Sequence, residues 1–139
     1  MKNNFSKPKM SEYSFFTLLV AIKKHENYDP IINRNELEKK LYEYYNQEEF
    51  KLFFIDTEID DTKDNNKQLN LSSSFLNAYS YGMITMIHDS EKKLSYMINI
   101  TYEQSEKILK NYSNQEKEKM IKLLDSLEEK NKPLILTKK

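Results

Sequence analysis

The chain is short, balanced in charge and free of cysteine. Its 139 residues suffice for one domain with a single core. Lysine plus arginine and aspartate plus glutamate both number 22, so the net charge neither favours nor excludes a nucleic-acid partner. The lack of cysteine excludes disulfides, thiolate metal sites and cysteine nucleophiles.

The N-terminal part predicts one central helix. Residues 1–10 are basic, lack the apolar run of a signal peptide and are expected to form a flexible arm. Helical spacing then runs through a set of large apolar residues: Phe15, Leu18, Leu19 and Ile22. This set, broadened by Phe16 and Val20, predicts a helix over about 11–26. The run NYDP ends it, because a proline restricts the residue before it.

The next segments carry weaker patterns. Asn33 as a cap and Glu36 at the reciprocal position of a capping box predict a second helix over about 34–46. The run EEFKLFFI (48–55) is too short for periodicity to separate strand from helix, and we interpret it as a short helix. Residues 56–70 are polar and acidic without an apolar repeat, which predicts a loop.

A third helix and a hairpin follow. The helix is predicted over about 73–81, with a serine as its cap and Gly82, the only glycine, in a left-handed conformation after its end. Its inward face is predicted to hold three residues: Phe75, Leu76 and Tyr79. Alternating apolar residues then predict two strands, over 83–88 and 94–100, joined by the turn DSEKK (89–93).

Two capped helices close the domain. Capping boxes are predicted at two places: Thr101 with Gln104, and Ser113 with Glu116. They open helices over about 102–111 and 114–130. The last helix carries a broad apolar stripe: Met120, Ile121, Leu123, Leu124 and Leu127. This stripe predicts a homodimer through 114–130, because it exceeds what one small core needs; the alternative is that it folds back on the first helix.

The order helix, helix, helix, hairpin, helix resembles a winged helix. YGMI (81–84) is similar to the GLI that ends the recognition helix of MarR-type bacterial regulators. Asp89, Tyr96 and the pair 100–101 are similar to the wing that closes with Y-x-L-T before a dimerisation helix in those proteins. The resemblance covers residues 71–101.

These elements together predict an α+β fold, mostly α and winged-helix-like, with three helices, a β-hairpin wing and C-terminal helices. A single domain is expected over 11–131, with an acidic loop at 56–70, and a tail over 132–139.

Two features depart from the family pattern. The family usually joins its second and third helices by a short turn, where this chain has residues 47–71. In addition, the third helix of this chain carries no arginine or lysine, which recognition helices commonly use to contact DNA.

The resemblance implies double-stranded DNA as the partner. The side chains expected to contact phosphate or adenine on and before the third helix are Lys67, Ser73, Ser74, Asn77 and Ser80. Lys92 and Lys93 at the wing tip are the expected phosphate contacts, against the alternative of a solvated turn. The lysine- and asparagine-rich composition is typical of an AT-rich genome, and a regulator or accessory factor of a mobile element fits it.

The alternative partner is a protein, with the chain acting as an inhibitor, an adaptor or a complex subunit. A neutral charge balance and a third helix without basic residues keep this alternative open. The aromatic-rich segment 42–54 is either a sticky partner surface or part of the core. A neutral surface around 72–81 and 89–93 would favour a protein, and a positive one would favour DNA.

Catalysis, cofactors and metals are not expected. His25 and His88 are the only histidines and lie far apart, and there is no Gly-rich phosphate loop or nucleophile elbow. An EF-hand loop beginning at Asp56 would need glycine where Asp61 stands and glutamate where Lys67 stands. No apolar run reaches the length of a membrane span, so the predicted address is the cytoplasm.

Overall fold

The computed structural model describes residues 10–54, 57–60, 68–87 and 95–128. In chain order their elements are α1 (Glu12–His25), β1 (Ile31–Asn33), α2 (Arg34–Tyr42), a 3-10 helix (Glu48–Phe54), β2 (Glu58–Asp60), β3 (Gln68–Asn70), α3 (Ser72–Ser80), β4 (Ile84–Ile87), β5 (Ser95–Ile98), α4 (Tyr102–Leu109) and α5 (Asn114–Leu127). The architecture is α+β and mostly helical with a hairpin, as the sequence predicts. The expected arm, wing turn and tail lie outside the described residues, apart from Met10 of the arm.

The core is built around α1. Ser11 caps this helix by accepting a hydrogen bond from the backbone N–H of Ser14. Large apolar residues cover the helix nearly all round, and the buried ones are Phe15, Phe16, Leu18, Leu19, Val20 and Ile22. A helix that is apolar on most sides must be enclosed by other elements, and α1 is enclosed by α3, α4, α5 and the 3-10 helix. The prediction of a central first helix is confirmed.

The aromatic-rich segment 42–54 belongs to the core. Its 3-10 helix buries Phe50, Phe53 and Phe54, and the ring centroids of Phe53 and Phe54 lie 5.4 and 5.1 Å from that of Phe15. Such tilted aromatic contacts add to the free energy gained from burial alone. The short helix is therefore confirmed, and the described aromatic rings here pack inward. Helix α2 is shorter than predicted, because residues 43–46 turn towards this segment.

A three-stranded antiparallel sheet has the order β1-β5-β4. The hairpin β4–β5 agrees with the prediction, with Ile84 opposite Ile98 and Met86 opposite Tyr96. Strand β1 was not predicted. It follows α1 and pairs with β5, with Ile32 opposite Tyr96, so its existence depends on residues far along the chain.

The prediction that residues 56–70 form only a loop is wrong in part. Strands β2 and β3 pair there as a second antiparallel sheet, with Ile59 opposite Leu69. Leu69 is fully buried, and this burial holds the hairpin on the domain. Residues 61–67, which include Lys67, lie outside the described residues.

The end of α3 has the predicted geometry. Gly82 has φ of 76°, in the left-handed region that favours glycine. The N–H of Gly82 donates to the carbonyl of Tyr79 at 3.1 Å, and the N–H of Met83 donates to that of Ala78 at 2.9 Å. These two bonds form a Schellman motif, which satisfies carbonyls left open at the helix end and turns the chain into β4.

The two C-terminal helices begin at the predicted capping boxes. In each box the side-chain and backbone bonds are reciprocal, between Thr101 and Gln104 and between Ser113 and Glu116. The stripe of α5 is directed into the core, where its buried residues are Met120, Leu123, Leu124 and Leu127. The stripe on which the homodimer through 114–130 was predicted is therefore used within one chain. The alternative, in which α5 packs on α1, is what the structure contains.

Candidate docking face on the third helix

The start of α3 is held by a buried carboxylate on α2. Glu38 is 3% exposed, and its Oε2 accepts hydrogen bonds from the backbone N–H of Leu71 at 2.8 Å and from Arg34 Nε at 3.0 Å. Its Oε1 accepts from Gln68 Nε2 at 3.1 Å. The predicted serine cap is absent: Leu71 precedes the helix without a side-chain cap bond. Instead, the Glu38 carboxylate accepts a hydrogen bond from the backbone N–H of Leu71, the residue before the first turn.

The inner face of α3 packs on aromatic rings. The Phe75 ring centroid lies 4.7 Å from that of Phe16 and 4.9 Å from that of Tyr96. The Arg34 guanidinium carbon lies 5.7 Å from the Phe75 centroid, a cation–π distance. These contacts fix the rotation of α3, because Phe75 can enter the core in only one setting of the helix. The prediction that Phe75 faces inward is confirmed.

Outside its buried face, α3 carries two large apolar side chains. Leu76 is 66% exposed and Tyr79 is 48% exposed, so the prediction that they face inward is wrong. Ser74, Phe75 and Ala78 are buried, and the helical period places Leu76 on the side of the helix away from them. Tyr79 lies one turn after Phe75, at the edge of the buried face. We call the exposed residues Ser73, Leu76, Tyr79 and Ser80, together with the half-buried Asn77, the α3 face.

The structure separates the predicted DNA contacts. Ser73 and Ser80 are exposed and Asn77 is half-buried, and the three positions follow one another on one side of the helix. Ser74 is buried, and its hydroxyl donates to a carboxylate oxygen of Glu12 on α1. Its prediction as a DNA contact is therefore wrong, because the hydroxyl is used inside the fold. Lys67, Lys92 and Lys93 lie outside the described residues.

The α3 face is uncharged. Helix α3 contains no acidic or basic residue, and neither do β4 (ITMI) and β5 (SYMI). Arg34, the only arginine in the sequence, is engaged with Glu38 and the Phe75 ring. The wing turn 89–93 contains two acidic and two basic residues, which balance.

Exposed apolar residues continue from α3 into the hairpin. Tyr81 is 78% exposed and Met86 is 49% exposed. On the outer face of the sheet, Ile31 and Met97 stand opposite each other and are also exposed. Single exposed apolar residues are common, but this end of the domain gathers several of them beside an uncharged helix.

Other polar side chains form contacts between the end of α1 and α5. A cleft of about 340 Å³ lies among α1, α2, β1 and the end of α5. Lys23 in its wall is buried and pairs with Glu128, and the Tyr28 hydroxyl donates to Asp125 at 2.6 Å. Both contacts join the end of α1 to α5. Desolvation, followed by the hydrogen bond to Asp125, holds the pKa of Tyr28 well above its ordinary value.

His25 lies at the other side of the α1 end. Its ring stacks on Tyr102 with centroids 4.7 Å apart, and its Nδ1 lies 2.8 Å from Glu26 Oε2. Over the residues described, no group of three or more histidine or acidic side chains is arranged to hold a metal ion. Nor does any helix in those same ranges have the length and hydrophobicity needed to cross a membrane.

Sequence reasoning missed two features of this region. Glu38 has the sequence setting of an ordinary exposed helix residue, and only the return of Leu71 to α2 buries it. The sequence predicts Ser73, Asn77 and Ser80 of the α3 face as partner contacts but not the exposure of Leu76 and Tyr79, because apolar residues at helical spacing usually indicate core. A comparison with known proteins finds no matching family model, no matching curated protein and no matching solved structure.

Proposed function

We propose that this chain is a non-catalytic winged-helix module that binds another protein through the α3 face. The observation that carries the proposal is the exposure of Leu76 and Tyr79 in the middle of a helix without charge. The centres of protein interfaces are depleted in charged residues, and tyrosine is enriched among their energetic hot spots. The proposed role is that of an inhibitor, an adaptor or a complex subunit.

The winged-helix part of the proposal is supported by the order of elements. Three helices are followed by a glycine-stopped turn, a hairpin and a capped helix, as in the family that the sequence resembles. In this arrangement α3 occupies the place of the recognition helix, with its exposed face beside the hairpin. The cytoplasmic address and the absence of cofactor chemistry belong to the same proposal.

Double-stranded DNA is the second candidate partner. It is favoured by one observation: Ser73, Asn77 and Ser80 occupy one side of α3 and include two exposed hydroxyls. An asparagine can pair with adenine in the major groove, and hydroxyls can contact phosphate. The neutral surface favours the protein over DNA, because phosphate contacts by lysine and arginine supply most of the affinity of DNA-binding proteins.

A crosslinking experiment tests the protein proposal. A photoreactive amino acid replaces Tyr79 in one variant and Tyr13 in a control, since the two tyrosines are 48% and 49% exposed and lie on different helices. We expect a discrete protein adduct from the native host at position 79 that is absent at position 13. Leu76→Ala and Tyr79→Ala should each weaken binding of that partner about tenfold or more, while Tyr13→Ala should not. Equal adducts at both positions would contradict the proposal.

A further inference from the structure

The cleft among α1, α2, β1 and the end of α5 is lined in large part by apolar residues. Its volume is about 340 Å³, which falls within the range of about 300–1,000 Å³ that is usual for ligand sites. Its apolar residues are Leu19, Ile32, Leu37, Leu124 and Leu127. Among the described residues that line the cleft, none belongs to α3, so its ligand does not depend on the function proposed for the α3 face.

The two lysines of the cleft are already bonded to the end of α5. Lys23 pairs with Glu128, and Lys40 Nζ donates to a backbone carbonyl of α5 at 3.4 Å. Asp29 and Glu36 also line the cleft, and both are exposed. The cleft therefore fits an apolar ligand that carries positive charge beside its apolar part.

The cleft also reaches an edge of the three-stranded sheet, at β1. The carbonyl of Pro30 accepts the N–H of Ile98 at 2.9 Å, which fixes the phase of the ladder between β1 and β5. Because antiparallel ladders alternate, the carbonyl of Ile31 and the N–H of Asn33 are directed away from β5. Ile31 is 44% exposed and Asn33 is half-buried, so the described residues leave this edge accessible. An extended peptide in the cleft can bond its backbone to these groups.

We propose that the cleft binds the chain's own residues 133–136 (PLIL), which we call the PLIL segment. The segment begins five positions after Glu128, a residue of the cleft wall. At about 3.3 Å per extended residue this connection reaches roughly 16 Å, enough to bring the segment to the cleft. Residues 130–139 contain four lysines and no acidic residue, which complements the exposed carboxylates of the cleft. Residues 129–139 lie outside the described residues.

The sequence of the PLIL segment suits the edge of β1. Pro133 stands first, and the first residue of a strand is a position that tolerates proline. Side chains alternate along an extended chain, so Leu134 and Leu136 share one side and Ile135 takes the other. In the proposed complex the two leucines enter the cleft. Any other ligand of the cleft must then displace them.

A peptide titration tests whether the segment occupies the cleft. The probe is a fluorescent peptide of residues 129–139, added to the full-length double variant Leu134→Ser and Leu136→Ser. The peptide should bind this variant at least about tenfold more tightly than the wild type, whose own tail competes at an effective concentration of order millimolar. Asn131→Ser is the control and should behave as the wild type. Equal affinities for the double variant and the wild type, or no binding to the double variant at millimolar peptide, would overturn the proposal.

Photocrosslinking tests where the segment lies. A photoreactive leucine analogue at position 136 of the full chain should form adducts within one chain, to residues of β1, α2 or α5 that line the cleft. Mass spectrometry identifies these adducts. Ile31→Lys adds positive charge at the cleft and should reduce them, whereas Ile59→Lys, 37% exposed on β2, should not. A crosslinked dimer would place the segment in a second copy, and adducts outside the cleft would place it elsewhere; either result refutes the inference.

Discussion

The Glu38 carboxylate accepts a hydrogen bond from the backbone N–H of Leu71 at 2.8 Å, and the two residues are 33 positions apart in the sequence. The bond joins the middle of α2 to Leu71, the residue that precedes α3. It also brings β3 against α2, because Gln68 donates to the other oxygen of the same carboxylate. The position of the α3 face therefore depends on a group that is itself 3% exposed.

Replacing this carboxylate should destabilise the whole domain. Glu38→Ala leaves the N–H of Leu71, the amide of Gln68 and the charge of Arg34 without their acceptor. Breaking such a buried pair costs about 3 kcal/mol or more of unfolding free energy. Urea unfolding monitored by circular dichroism measures the loss. Lys39→Ala, at an exposed position on the same helix, is the control and should change stability by less than about 0.5 kcal/mol.

Gly82→Ala isolates the energy of one backbone conformation. A Cβ built on Gly82 meets nothing within 4 Å, so the substitution causes no clash. We expect a loss of about 1–2 kcal/mol, from the left-handed φ alone. Gly82→Asn should lose less, since asparagine adopts this region more readily. Equal stability of the alanine variant and the wild type, in chemical unfolding, would show that the helix end does not require glycine.

The stripe of α5 should behave as core and not as an interface. Leu124 is 1% exposed, and Leu124→Ala should lower the unfolding free energy by about 2–5 kcal/mol through the cavity it creates. The loss should not depend on protein concentration. A midpoint of unfolding that rises strongly with concentration in the wild type and not in the variant would instead place this side chain at a subunit contact.

DNA binding is tested by fluorescence anisotropy on mixed-sequence duplexes at low salt. We expect no binding at protein concentrations of tens of micromolar. Binding at these concentrations would favour DNA over a protein as the partner. Two sets of variants would then distinguish phosphate contacts from base contacts. The double variant Lys92→Ala and Lys93→Ala should weaken binding to all duplexes by a similar factor. It should also make the slope of log K against log salt concentration shallower by up to about two units. Asn77→Ala should relax sequence preference and leave the slope unchanged.

Tyr28 should make the fold sensitive to alkali. Its pKa is raised above the ordinary 10.0 by desolvation, and next by the hydrogen bond to Asp125. The unfolded chain therefore loses this proton at lower pH than the folded chain does. The free energy of unfolding is therefore not reduced by Tyr28 below about pH 10, and it falls as the pH rises beyond that value. Tyr28→Phe should flatten this fall in thermal unfolding scans, while Tyr13→Phe should leave the profile as it is.

The local sequence determines most of the helices and the hairpin, because their signals are carried by neighbouring residues. Thr101 and Gln104 meet within one turn, as do Ser113 and Glu116, so both capping boxes can be predicted without the fold. Gly82 is predictable for the same reason, since a left-handed residue after a helix needs only local contacts.

Tertiary structure decides what depends on distant partners. Strand β1 exists because Ile32 meets Tyr96, and Glu38 is buried because Leu71 returns to it. The rotation of α3 is decided in the same way. Its sequence offers Phe75, Leu76 and Tyr79 as core residues at similar spacing. The space beside Phe16 and Tyr96 admits Phe75, and the helical period then directs Leu76 away from the core. Tyr79 lies one turn after Phe75 and remains half exposed at the edge of the buried face.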